Sequence, residues 1–237
     1  MSKKRKAIRQ KTLREQQLEL LDKPVRTRKR VKPLEAKTET QGLYISTILH
    51  SDITFGIGPA GTGKTYVAAT LACEMLDAGE IEQIILTRPA VDTEKFGALP
   101  GELEDKYKPY IEPFEDVFKE RYSAGQLEYL IKSGKIKAQP LAFMRGKTFN
   151  RSWVLLDEAQ NTTPTQMKMA LTRIGEGSKM IISGDMNQND LPSHVKSGLN
   201  DSVKRLGTLA EIGVVEFSRD EVVRHGLISK ILERYEN

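Results

Sequence analysis

From about residue 37 onward the chain alternates short apolar runs with longer stretches of helical period. The runs Ile53–Ile57, Ile81–Thr87, Trp153–Leu156, Lys179–Gly184 and Gly213–Phe217 are rich in Ile, Val, Leu and Phe and show no polar alternation. That pattern predicts strands buried on both faces. Between them, Tyr66–Leu76 places Val67, Leu71 and Met75 at i, i+4 and i+8, one face of a helix. Gln126–Ser133 gathers Leu127, Leu130 and Ile131 on one side, with Gly134 behind as a stop signal. Val195–Leu206 and Asp220–Tyr235 read as two more helices, the second with Val223, Leu227, Ile228 and Ile231 as its apolar face. Strands alternating with helices point to an α/β fold, a mostly parallel sheet flanked by helices.

Two regions depart from that rhythm. Residues 1–36 read as a disordered tail, apart from a short amphipathic stretch at Thr12–Asp22. Between Val91 and Gln139 the sequence turns charged and helix-like, carrying Tyr107, Tyr110, Phe114 and Phe118. Pro109 and Pro113 are expected to break it into turns or a kinked helix. The chain thus divides into a tail, 1–36, and one domain, 37–237, with a helical insertion at about 92–139. That insertion is expected over the ligand crevice or at an oligomer interface. The aromatics Tyr107, Tyr110 and Phe114 suit core or interface better than base stacking.

The chemistry begins at the end of the first strand. Gly58-Pro59-Ala60-Gly61-Thr62-Gly63-Lys64-Thr65 is a complete Gly-x4-Gly-Lys-Thr loop, lying between a strand and a helix as a phosphate-binding loop must. Its glycines let backbone N–H groups curl around phosphate oxygens at a helix N-terminus. Lys64 is placed for the β- and γ-phosphates and the Thr65 hydroxyl for Mg²⁺. The strand Trp153–Leu156 ends in Asp157-Glu158. In a parallel sheet this strand is expected beside the loop strand, so that Asp157 holds Mg²⁺ and Glu158 polarises the attacking water. After Lys179–Gly184, the cluster Asp185–Asp190 offers Gln188 as a sensor of the γ-phosphate or of that water. A polar turn is an equally good reading of Gln188.

Together these segments resemble the first ATPase domain of superfamily 1 helicases and, more closely, the PhoH family of P-loop ATPases. The stretches that carry the resemblance are Phe55–Thr65, Thr87-Arg88-Pro89-Ala90-Val91, Pro140–Thr148, Asp157–Asn161, Gly184–Asp190 and Val222-Val223-Arg224-His225. They span about residues 37–234. The resemblance implies a RecA-like P-loop fold and ATPase activity with Mg²⁺, acting around RNA. It also implies that Gln41, within Thr40-Gln41-Gly42-Leu43-Tyr44, reads adenine. Arg224 matches a functional segment and is the leading arginine-finger candidate, in cis or from a neighbouring subunit, with Arg219 in reserve. A helix-surface arginine is the alternative, and His225 is read as a packing residue. Arg88 and Arg145 are candidates for strand contacts or for ordinary ion pairs. Nuclease activity, which some members owe to an added domain, is not carried over.

Charge sharpens this picture. Residues 1–33 hold thirteen Lys or Arg against Glu15, Glu19 and Asp22, a net +10, whereas the whole chain of 237 residues is +5, so the remainder is −5. Blocks such as Lys3-Lys4-Arg5-Lys6 suit a phosphate backbone without sequence preference, or simply solubility. The single cysteine, Cys73, cannot form an internal disulfide, and no run approaches the roughly twenty apolar residues of a membrane span. A cytoplasmic protein is expected. One ATPase lobe rarely unwinds a duplex alone, so a homo-oligomer is expected, possibly a hexameric ring, with single-stranded RNA or DNA as partner. A nucleotide-gated binding or assembly protein with slow hydrolysis is the second reading, and a small-molecule phosphotransferase the third. The adjacent acids favour water as acceptor over the last.

Overall fold

The computed structural model of the chain describes residues 32–89, 103–222 and 234. Its elements are α1 (Glu39–His50), β1 (Ile53–Ile57), α2 (Lys64–Ala78), β2 (Gln83–Thr87), α3 (Leu103–Arg121), α4 (Ala124–Lys132), β3 (Ile136–Ala138), β4 (Ser152–Leu156), α5 (Pro164–Leu171), β5 (Lys179–Gly184), α6 (Gly198–Leu206) and β6 (Ile212–Glu216). All six strands are parallel, in the order β3-β2-β4-β5-β1-β6. β4 is buried at every position, and β1 and β2 at all but their first. Their unbroken apolar runs follow from helices covering both sheet faces.

One face carries α1, α2, α3 and α4. There Tyr44, Ile48, Val67, Leu71, Phe114, Phe118 and Trp153 share a core with Ile84, Leu86, Leu155 and Ile181 from the sheet. The other face is covered by the 3-10 turn Leu141–Met144, α5 and α6, through Met144, Met167, Ala170 and Leu199 against Phe55, Val154 and Ile182. α1 reaches unusually close to the sheet because two of the strand residues beneath it are glycines. A Cβ on Gly56 would meet the Tyr44 ring at 2.7 Å, and one on Gly213 would collide with Thr47.

Two readings are corrected by this architecture. β4 does not lie beside β1: β5 stands between them. α3 runs through Pro109 and Pro113 as one helix, not as a series of turns. It lies within the crossover from β2 to β3. Phe114, Val117, Phe118 and Tyr122 are each 5% exposed or less and pack with α2, and that buried face outweighs the two missing amide donors. The tail over residues 1–31, the segment 90–102, Arg224, His225 and nearly all of the helix expected over Asp220–Tyr235 lie outside the described residues. Of that helix, the 3-10 turn Arg219–Glu221 is described at its start and Arg234, helical, near its end. Among the described residues, no helix is long and apolar enough to cross a membrane.

Candidate functional site

The chain leaves β1 into α2 on one face and leaves β5 toward α6 on the other, so a crevice opens between their C-terminal ends. The loop after β1 and the loop after β5 are fastened there by Gly58 N–H donating to the Gly184 carbonyl, 3.0 Å. Every motif identified in the sequence and described in the structure, apart from the Pro140–Thr148 stretch, converges on this edge.

Residues 58–65 form the first wall. Gly58 has φ 140° and Gly63 φ 87°, and a Cβ at either would be blocked: by the Phe217 carbonyl at Gly58, and by Gln41 Nε2 at 2.7 Å at Gly63. Gly63 is also the N-cap of α2, with no side chain accepting from the first turn. The first N–H groups of α2 therefore lack the usual side-chain acceptor and suit an anion. Lys64, only 8% exposed, donates to the Gly58 and Pro59 carbonyls, both at 2.7 Å, and to Thr62 Oγ1 at 3.1 Å. Its ammonium also sits 5.8 Å from the Phe217 ring centroid.

Gln41 is fixed against the back of this loop. Its Oε1 accepts from Lys37 N–H at 2.8 Å and its Nε2 donates to the Thr62 carbonyl at 3.0 Å. At 4% exposure the amide is engaged at both ends, so in this geometry Gln41 braces the loop.

The second wall rises from β4. Asp157 Oδ1 accepts from Thr65 Oγ1 at 3.2 Å, which joins the two walls across an intervening strand. Burial pushes the Asp157 carboxyl above its usual range, and the Glu158 charge adds to this; Arg88 and the Thr65 hydroxyl pull the other way. A buried carboxylate short of positive charge, touching a hydroxyl, is a donor set that suits Mg²⁺, which takes one or two protein oxygens and fills the rest with phosphates and water. No group of three or more His, Cys, Asp or Glu among the described residues could hold a metal by itself.

Glu158 adopts φ 53°, ψ 38°, a left-handed conformation costly for a residue with a Cβ. It is held there through both carboxylate oxygens: Oε2 accepts from Gln160 Nε2 at 2.6 Å, and Oε1 lies 3.7 Å from Arg88. Gln160 Oε1 in turn accepts from Asp185 N–H at 3.1 Å. Asn161 and Asp190 exchange two hydrogen bonds, each 2.9 Å. Gln160 and Asn161 thus tie the end of β4 to the loop after β5. Their sequence context gives neither residue a role, because a buried amide and a surface amide look alike in sequence. Gln188 lies on this loop, its N–H on the Asp185 carbonyl at 3.3 Å, with an exposed side chain. Arg145 is exposed on the opposite sheet face, after the turn Leu141–Met144, and Arg219 is exposed in its own turn.

With this geometry in view, comparison with known proteins is informative. The family described as PhoH-like protein matches residues 33–236. The chain is 49% identical over 206 residues to a PhoH-like protein of Bacillus subtilis (strain 168), covering 86% of this chain and 65% of that protein. It is 40% identical over 206 residues to protein PhoH of Escherichia coli (strain K12), covering 86% of this chain and 58% of that protein. The chain therefore spans less than two thirds of the length of these relatives. Among solved structures, the large terminase of a thermophilic bacteriophage superposes with a TM-score of 0.52 at 13% identity, over 85% of this chain and 50% of that one, a likeness of fold.

Proposed function

The chain belongs to the PhoH-like family, and we propose that it is a Mg²⁺-dependent ATPase whose turnover is coupled to single-stranded RNA or DNA. The observation that carries this reading is the Thr65–Asp157 hydrogen bond of 3.2 Å, which joins the phosphate loop to the acidic strand end with Glu158 next in line. Thr65 and Asp157 would hold Mg²⁺, which would supply charge neutralisation for the phosphates. Lys64 releases its loop carbonyls and turns its ammonium to the β- and γ-phosphates. Glu158 orients water for attack on the γ-phosphate and accepts its proton. Gln188 registers the γ-phosphate from the loop after β5, and Arg224 supplies positive charge as the phosphoryl group departs. The +10 of residues 1–33 supports a phosphate-backbone partner. Assembly into a homo-oligomer is part of this reading, a hexameric ring being an arrangement that gives every site the same neighbour.

Phosphate release from ATP with Mg²⁺, measured with and without single-stranded RNA or DNA and beside Lys64→Ala, tests the reading. Release that disappears in the variant and rises with a strand is expected. Release that survives in Lys64→Ala overturns the site assignment. Release indifferent to every strand leaves an ATPase without the nucleic-acid coupling. Light scattering with ATP and Mg²⁺ present tests assembly, and a monomer there removes the ring.

A further inference from the structure

The two contacts on Glu158 engage both oxygens of the group assigned to orient water. Its Oε2 is taken by Gln160 at 2.6 Å, the shorter contact, from a residue itself anchored to Asp185. Its Oε1 faces the Arg88 guanidinium at 3.7 Å, and the two side chains are 43% and 31% exposed. The two grips differ in kind. Gln160 is only 4% exposed and bonded on both sides, so it moves only if the loop after β5 moves. Arg88 is a long, partly solvated cation in a loose pair, which costs little to separate.

Arg88 follows directly on β2, at the same sheet edge as the crevice. The segment after β3 is drawn to that strand end by Gln139 N–H on the Leu86 carbonyl at 3.0 Å, and it leads on to the exposed Arg145 and Lys147. A guanidinium prefers the two oxygens of a phosphate diester to one distant carboxylate oxygen, because its fork matches them bidentately.

We propose that Arg88 is a releasable clamp on Glu158, and that a phosphate of a bound single strand opens it by drawing the guanidinium away. Gln160 is the positioning residue that keeps the freed carboxylate aimed. This rests on the ATPase reading above and deepens it by naming the residue through which a strand reaches the hydrolytic site. The exchange is thermodynamically reciprocal. If the strand removes Arg88 from Glu158, loss of the Glu158 charge must strengthen strand binding by the same coupling.

The test uses the full chain. Arg88→Ala should raise strand-free phosphate release roughly fivefold or more, reduce further stimulation by single strands to less than about twofold, and leave the KM for ATP unchanged. Arg88→Lys should keep a partial strand response, since a lysine holds the charge without the fork. A second arm needs no turnover. Glu158→Gln, titrated with a fluorescent single-stranded oligonucleotide under ATP and Mg²⁺, should bind roughly fivefold more tightly than the parent. That arm decides even if Arg88→Ala does not fold. Unchanged or lower strand-free turnover in a folded Arg88→Ala, or unchanged strand affinity in Glu158→Gln, overturns the clamp. A parent protein that releases no phosphate under any condition instead overturns the ATPase reading, which separates the two failures.

Discussion

Lys64 donates hydrogen bonds to groups two to six residues away in the chain, whereas the acidic rim opposite it is tied by side chains reaching 25, 29 and 92 residues. The phosphate loop is a local, backbone-built device. Its shape comes from three positive-φ glycines, Gly58, Gly61 and Gly63, and one helix N-terminus, with Gln41 and the Gly184 carbonyl bracing it from outside. The rim is a tertiary device, in which Asp157, Glu158, Gln160 and Asn161 mean little until β4, β5 and α2 bring their partners. One wall is written in contiguous residues and the other in a set of distances. Loop variants should therefore fail in nucleotide binding, and rim variants in turnover after binding.

The largest effect should come from that contrast directly. Lys64→Ala is expected to lower kcat/KM by at least about 10²–10³-fold, with loss of nucleotide affinity. Glu158→Gln should lower kcat by about 10²–10⁴-fold while a fluorescent nucleotide still binds as it does to the parent. Equal loss of affinity in both variants would erase the distinction between the walls. Gln160→Ala should cost less, about tenfold in kcat with KM little changed, because it aims Glu158 rather than replacing it; a shift confined to KM would remove its positioning role. Gly56→Ala probes the scaffold under both walls. Crowding the Tyr44 ring should destabilise by about 1–3 kcal/mol, at about 2–4 °C of Tm per kcal/mol. An unshifted melt would mean that α1 retreats freely. The smallest effect belongs to Cys73, buried within α2, whose thiol is pushed up to about 12, chiefly by burial. With so little thiolate at pH 8, it should resist a maleimide until the chain is unfolded.

The same contrast explains what is legible in the sequence. β1, β2, β4 and β5 stand out because buried parallel strands leave unbroken apolar runs, and α2 because its period continues straight from the glycine loop; β6, expected buried on both faces, is an edge strand in which only Val215 is buried. α5 carries a signal in Thr163, Pro164 and Gln166, a capping box with proline at the first turn, yet its eight residues are too short for a period to show. α1 escapes sequence reading because Gly42 and Thr47 weaken its helical propensity. Its buried face, Gln41, Tyr44 and Ile48, follows helical spacing, but the family resemblance marks Gln41 as a ligand residue and hides that pattern. β3 is three residues long and exists because β2 offers it an edge. The strand order is invisible in the same way. No sequence pattern states that β5 separates β1 from β4.

That interposed strand has a consequence of its own. Neighbouring strands stand about 4.8 Å apart, so two such steps set the loop strand and the acid strand about 10 Å from each other. A sheet cannot be stretched or compressed by a side-chain change, and its spacing is the same in every copy of the chain. The separation between the glycine loop and the strand end that carries Asp157 and Glu158 is therefore gauged by backbone hydrogen bonds rather than by rotamers. Substitutions along the rim can blunt or redirect the chemistry, but the span across which it works is cut to length by β5.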